Sequence, residues 1–181
     1  IIDVDTLEKC KESVELIKDN EKVQKLLQDE PTDFEMDDIE VYNEIPLECN
    51  LDNYDFGLKG IIDRYVVDHK NKIIKIIDFK TTGKTITEFP ETVQFYNYWL
   101  QAAVYMTLVT KNLSEKEADY QIIFNFIVID KYNQIYSFPV RTSTMSEWGD
   151  AMTGVFETAT YHVNENNYSL PQQFLIDDMT L

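Results

Sequence analysis

Two neighbouring runs decide the fold: Gly60-Ile61-Ile62-Asp63-Arg64-Tyr65-Val66-Val67-Asp68 and Ile73-Ile74-Lys75-Ile76-Ile77-Asp78-Phe79-Lys80-Thr81-Thr82. Both are rich in β-branched and aromatic residues. They flank His69-Lys70-Asn71-Lys72, so they read as antiparallel strands around a tight turn. With Lys70-Asn71 as a two-residue loop, the register sets Asp63 directly across from Asp78. Facing carboxylates repel, and a cation between them is the natural compensation. Lys80, two residues beyond Asp78, shares its face of the strand. Asp is depleted from strand interiors, and both acids sit in apolar runs that should be buried, where a charge needs a partner. An ordinary ion pair with Arg64, Lys75 or Lys80 is the competing explanation for this pattern.

Outward from this hairpin, Asp5 to about Gln28 carries Leu7, Val14, Leu16, Ile17, Val23, Leu26 and Leu27 at near-helical spacing. Asp19-Asn20 can split that stretch by capping a second helix. An acidic run follows, including Asp29, Glu30, Asp33, Glu35, Asp37, Asp38 and Glu40, and reads as a solvated linker. Ile39 to Cys49 reads as a strand containing Glu44 and interrupted by Pro46, with a turn at Asp52-Asn53-Tyr54-Asp55. After Gly83, Pro90 suits the first turn of one long helix, Glu91 to about Lys111, whose aromatic residues Phe95, Tyr96, Tyr98 and Trp99 read as core in preference to the alternative of a base-stacking platform. Tyr120 to Asp130 and Gln134 to Val140 form a second hairpin. A closing helix covers about Ser146 to Val163, and an irregular tail follows. The order predicts an α/β fold: a central mixed sheet with three strands, a long helix and two further strands, flanked by helices.

At 181 residues, 44% hydrophobic and 13% aromatic, the chain is expected to form a single domain over 1–181. Within it, 1–38 would hold the N-terminal helices and acidic linker, 39–140 the core, and 141–181 the C-terminal helix and tail. Cys10 and Cys49 offer neither zinc spacing nor a disulfide framework, and no long apolar run points to a membrane. An intracellular, cytoplasmic protein is expected. A net charge of −17 argues against nucleic-acid binding by the chain as a whole, yet Gly57 to Pro90 holds seven basic residues against four acids. Thr82-Gly83-Lys84-Thr85 resembles the end of a phosphate-binding loop, but Asp78 stands where that loop needs its earlier glycine. His69 and His162 have no neighbours at zinc spacing, and no Gly-x-Ser-x-Gly elbow occurs.

Two acids beside a lysine suit metal-assisted hydrolysis of a phosphodiester, with Mg²⁺ or Mn²⁺ at an all-oxygen site. Candidate ligands are Asp63, Asp78, the backbone carbonyl of Phe79 and Glu44, with Glu48 competing for the last place. Lys80 could hold water or stabilise charge on phosphate. Gln101 and Tyr105, four apart in the long helix, can address one ligand together, although taken alone such a pair is better explained by a place at the edge of the core.

Gly60-Ile61-Ile62-Asp63, Asp78-Phe79-Lys80 and Gln101-Ala102-Ala103-Val104-Tyr105 resemble, in order and spacing, the Gly-x-x-Asp, (Asp/Glu)-x-Lys and Gln-x-x-x-Tyr motifs of the PD-(D/E)XK nuclease superfamily. The likeness is nearest to its RecB-like and RecE-like, phage-type exonuclease branch. It implies a restriction-endonuclease-like core and a Mg²⁺- or Mn²⁺-dependent DNA nuclease, an exonuclease of recombination and repair in a bacterial cell or phage-infected host. Asp63, Asp78 and Lys80 would then be catalytic, while Gln101, Tyr105 and Lys84 would contact DNA, whose linear form with a free end is the implied substrate. A recombination partner protein and oligomer formation are compatible with the same resemblance. Many members of this branch carry a further ligand on the N-terminal helix. No histidine occurs there, which leaves Glu12 or Glu15. A catalytically inactive scaffold of the same fold, binding DNA or protein, is the alternative.

Overall fold

The computed structural model describes residues 3–27 and 38–176. The acidic run from Asp29 to Asp37 lies outside the described residues. The first helix, α1 (Val4–Asp19), starts where Asp3 accepts a hydrogen bond from the Thr6 N–H at 2.8 Å. As the sequence suggests, Asn20 then caps α2 (Glu21–Leu27), its Oδ1 accepting from the Val23 N–H at 3.1 Å.

Five strands follow, β1 (Ile39–Asn50), β2 (Gly57–Asp68), β3 (Ile73–Thr81), β4 (Gln121–Ile129) and β5 (Ile135–Val140), and they lie in the sheet in that order. All neighbours are antiparallel except β3 and β4. The parallel pair needs a crossover. It is made by a short 3₁₀ turn at Ile86–Glu88, α3 (Phe89–Phe95) and α4 (Tyr98–Lys111). The long α5 (Thr142–Glu165) packs on α4, and α6 (Gln173–Ile176) is a single turn.

Three expectations need correction. Pro46 does not interrupt β1: it pairs opposite Ile61, on an edge strand where a missing N–H can face outward at no loss. The crossover is two helices rather than one, because Asn97 takes a left-handed conformation (φ 56°) between them. The closing helix begins at Thr142, four residues before the expected start, and runs on to Glu165.

The core lies mainly between the sheet and α3–α4. Ile62, Val67, Ile74, Ile76, Phe124, Phe126 and Val128 face Phe89, Ala102 and Leu108 there. On the opposite face Val23 and Leu27 of α2 cover Ile77 and Ile127. Arg64 ties that layer down, donating to the Leu27 carbonyl at 2.7 Å and to Asn43 Oδ1 at 2.8 Å. A cation at the carbonyl end of α2 is also favoured by the helix dipole.

Candidate active site

Strand alternation fails at one place, and the site forms there. In β1, Tyr42 faces the α4 side, but so do Ile45, Leu47 and Cys49. In β2, Leu58 and Ile62 face that side, and so do Tyr65 and Val67. Both strands therefore change parity between these groups, at Glu44 and Asp63. Glu44 has φ 47°, and Asn43↔Arg64 and Ile45↔Ile62 remain paired around it. A left-handed residue inverts which face the following side chains occupy, much as a β-bulge does.

The disturbance releases Asp63 from an ordinary ladder position. The β2–β3 pairing keeps the register read from the sequence but stops at Arg64↔Ile77, one step before the two acids. Asp63 and Asp78 are thus not a paired cross-strand couple. Instead Asp63 Oδ2 accepts a hydrogen bond from the Phe79 backbone N–H at 2.9 Å. Beyond this point β2 continues with β1 alone, and β3 with β4 alone, so the strands part around the acids.

Asp78 is fully buried, and its Oδ2 lies 2.5 Å from Lys80 Nζ. Neither carboxylate oxygen has an aligned hydrogen-bond donor among the described residues. Burial pushes the Asp78 carboxyl up to about 6, against the lowering effect of Lys80 and with a smaller push from the Asp63 charge. Lys80 also meets Tyr98, whose ring centroid is 4.7 Å from Nζ.

From α4, Gln101 Nε2 donates to the Tyr105 hydroxyl at 2.9 Å. Tyr105 is buried, and desolvation raises its hydroxyl pKa, with further upward pushes from Asp78 and Asp63. Gly60 lets α4 approach this closely. A Cβ there would meet Leu108 Cδ1 at 3.1 Å and Tyr105 Cε1 at 3.3 Å, so any side chain would crowd both, and each would have to give by a few tenths of an ångström.

The fold thus gathers Asp63, Asp78, Lys80, Gln101 and Tyr105. Phe79 stays in the β3–β4 ladder opposite Ile127, with its N–H committed to Asp63. Glu44 lies next to Asp63 on β1 but is exposed. Lys84 Nζ lies beside the ring of Phe95, 5.9 Å from its centroid. On α1, Glu12 is exposed and Glu15 pairs with Lys18 at 3.0 Å. Sequence reasoning assigned Tyr98 to the core, and its half-buried ring does pack on Phe89 and Phe126, but its contact with Lys80 was missed. Its position three residues before Gln101 on the same helix face was the available signal.

Hard carboxylate oxygens, those of Asp78 buried beside an ammonium and one of Asp63 oriented by a backbone N–H, suit a hard divalent cation. Among the described residues no three His, Cys, Asp or Glu side chains converge as a ready-made cage. Mg²⁺ does not require one, since it commonly takes one or two carboxylates and completes its shell with water and substrate oxygens.

No curated protein matches the chain. A solved structure from Eubacterium rectale, provisionally named an exonuclease, superposes with TM-score 0.62 at 17% identity, covering 95% of this chain and 59% of its own. The chain therefore spans a little over half the length of that relative. The structure of SSO0001 overlaps 64% of this chain and 50% of its own at 14% identity, and its TM-score of 0.35 carries no argument. The family model of the PD-(D/E)XK nuclease superfamily matches residues 7–164. With a mixed five-stranded sheet between helices, Asp63 and Asp78-Phe79-Lys80 where its strands part, and that match over most of its length, the chain belongs to the PD-(D/E)XK nuclease superfamily.

Proposed function

We propose that the chain is a divalent-metal-dependent deoxyribonuclease, an exonuclease of the RecB-like and RecE-like branch acting in recombination and repair on linear DNA. One observation carries the reading: a buried, donor-poor carboxylate, Asp78, held 2.5 Å from an ammonium, Lys80, where two strands diverge. Asp63 and Asp78 would hold Mg²⁺ or Mn²⁺, with the Phe79 carbonyl and Glu44 as further candidates. The chemistry such an ion supplies when bound is activation of water and stabilisation of charge on phosphate.

The chain's own groups divide the remaining work. Lys80, in contact with Asp78 and Tyr98, places a positive charge and N–H donors where an attacking water and a phosphate oxygen must meet. The Phe79 N–H fixes the Asp63 carboxylate and prevents it from turning toward solvent. Tyr105 keeps its proton at neutral pH, and because Gln101 donates to its oxygen, that proton remains available for a phosphate. Gln101 and Tyr105 would position DNA, and Lys84 would add a contact farther along the strand.

The test compares linear DNA, labelled separately at each end, with internally labelled circular DNA, both with added Mg²⁺. Wild-type protein should digest linear DNA from its ends and spare circles, while Asp78→Ala and Lys80→Ala should each lose about 100-fold or more. Equal metal-dependent activity in all three proteins would remove these residues from the mechanism, and cut circles would make the enzyme an endonuclease.

The second reading, a non-catalytic scaffold of the same fold, is favoured by the absence of a three-acid cluster among the described residues. Calorimetric titration with Mn²⁺ separates the two. Absence of binding at millimolar metal would favour the scaffold.

A further inference from the structure

The break between α3 and α4 does more than bend the crossover. It carries a run of rings from Tyr98, half-buried against Phe89 and Phe126 beside the candidate active site, out to the exposed Tyr96 and Phe95. Lys80 Nζ sits 4.7 Å from the Tyr98 ring centroid. Tyr98 stacks with Tyr96 at 5.7 Å and 26°, and Tyr96 meets Phe95 edge-on at 4.9 Å. Lys84 Nζ closes the row, 5.9 Å from the Phe95 centroid. Phe95 is 74% exposed and Tyr96 57% exposed, so neither contributes much to the core. Asn97, in its left-handed conformation, stands between Tyr96 and Tyr98, and its Oδ1 accepts from Trp99 Nε1 at 3.1 Å. That bond fixes the bend that keeps the two rings outside.

Exposed neighbouring aromatics are costly on a surface with no partner. Here their neighbours restrict the choice of partner. A lysine stands at each end, the near one belongs to the proposed hydrolytic centre, and the spacing between them is filled by flat apolar faces. A strand of unpaired nucleotides has the matching chemistry, with flat bases for the rings and phosphates for the ammonium groups. Duplex DNA has the phosphates but keeps its base faces covered by stacking.

We propose that Phe95, Tyr96 and Tyr98 form a stacking platform for single-stranded nucleic acid, with Lys80 and Lys84 engaging its phosphates at either end. This deepens the nuclease reading and rests on it for the direction of the strand. The platform takes the unpaired bases next to the phosphate under attack and holds the strand while it is cut.

The test uses a single-stranded DNA 15-mer containing 2-aminopurine, in EDTA so that no cleavage occurs. Wild-type protein should quench the probe and bind it more tightly than a blunt duplex of equal length. Tyr96→Ala should weaken binding about 10-fold, Phe95→Ala/Tyr96→Ala by more, and Tyr96→Trp should retain it. Metal-dependent hydrolysis of bis(p-nitrophenyl) phosphate, which is too small to reach the platform, should be unchanged in Tyr96→Ala. Unchanged single-strand affinity in the double variant, with diester hydrolysis intact, overturns the platform and leaves the nuclease reading standing. Equal affinity for strand and duplex, indifferent to Tyr96, also overturns it. Quenching that depends on Tyr96 in a wild-type protein with no diester hydrolysis supports the platform and fails the nuclease reading.

Discussion

Asp78 carries a large electrostatic penalty in the metal-free protein. Its carboxyl titrates near 6 in the folded chain, against 3.8 for the unperturbed group, chiefly because burial disfavours the charge. Below about pH 4 both folded and unfolded chains hold the proton, and the group has no net effect on stability. Between pH 4 and 6 the unfolded chain ionises first, so folding loses stability as pH rises, and above 6 the loss is complete. About two units correspond to roughly 3 kcal/mol. Asp78→Asn removes this titration. Urea unfolding in EDTA should therefore show the variant gaining about 3 kcal/mol relative to wild type between pH 4 and pH 7. A difference independent of pH would mean that Asp78 is better solvated than the structure shows. Metal should reverse the penalty. At pH 7, Mn²⁺ at 100 times its Kd should stabilise wild type by about 2.7 kcal/mol and leave Asp78→Asn nearly unmoved, as read from melting temperature.

Elements determine whether these side chains meet, and the closest constraint is the approach of α4 to β2 at Gly60. Gly60→Val would place branched carbons where Leu108 and Tyr105 already lie within 3.3 Å of a first added carbon. Overpacking of this kind costs about 1–3 kcal/mol and would shift Tyr105 away from the acids. Thermal melting should show the loss, and DNA cleavage should fall by more than the unfolded fraction explains. The hairpin register was legible because strand composition and a short polar turn constrain it strongly: Arg64↔Ile77 and Asp68↔Ile73 follow the expected pairing. The parity change at Glu44 and Asp63 was not legible. Reading a strand by alternation assumes extended backbone throughout, and a single left-handed residue that is neither glycine nor asparagine gives no compositional warning. The helix break at Asn97 was concealed by the opposite effect, since apolar and aromatic residues continue at helical spacing on both sides of it. Asparagine's tolerance of positive φ was the one available hint. The candidate acids, Lys80, Gln101 and Tyr105 were readable as residue types in order. The second contact of Tyr98 was not, because its packing on Phe89 and Phe126 accounts for an aromatic there without any lysine beside it.

Across the whole molecule, a net charge of −17 must coexist with a polyanionic substrate. Charges farther from the strand than about 8–10 Å are largely screened at physiological salt, so the local balance around the candidate site governs contact while the remaining acids oppose approach at low salt. Where the proposed path runs, the flanking cations are Lys80 and Lys84, one at each end of the aromatic row. Two neutralised phosphates on a single strand give a slope of log K against log salt of about −1.4. Repulsion from the rest of the chain also weakens as salt rises, which flattens the slope further. Anisotropy titrations of a labelled single strand in EDTA, between 50 and 200 mM salt, should therefore give a slope of about −1.4 or shallower, with stacking supplying much of the salt-independent affinity. Lys84→Ala should reduce the slope by about 0.7. A slope steeper than about −4 would require several more cations on the strand than this path provides, and would move the nucleic-acid interface to another surface of the protein.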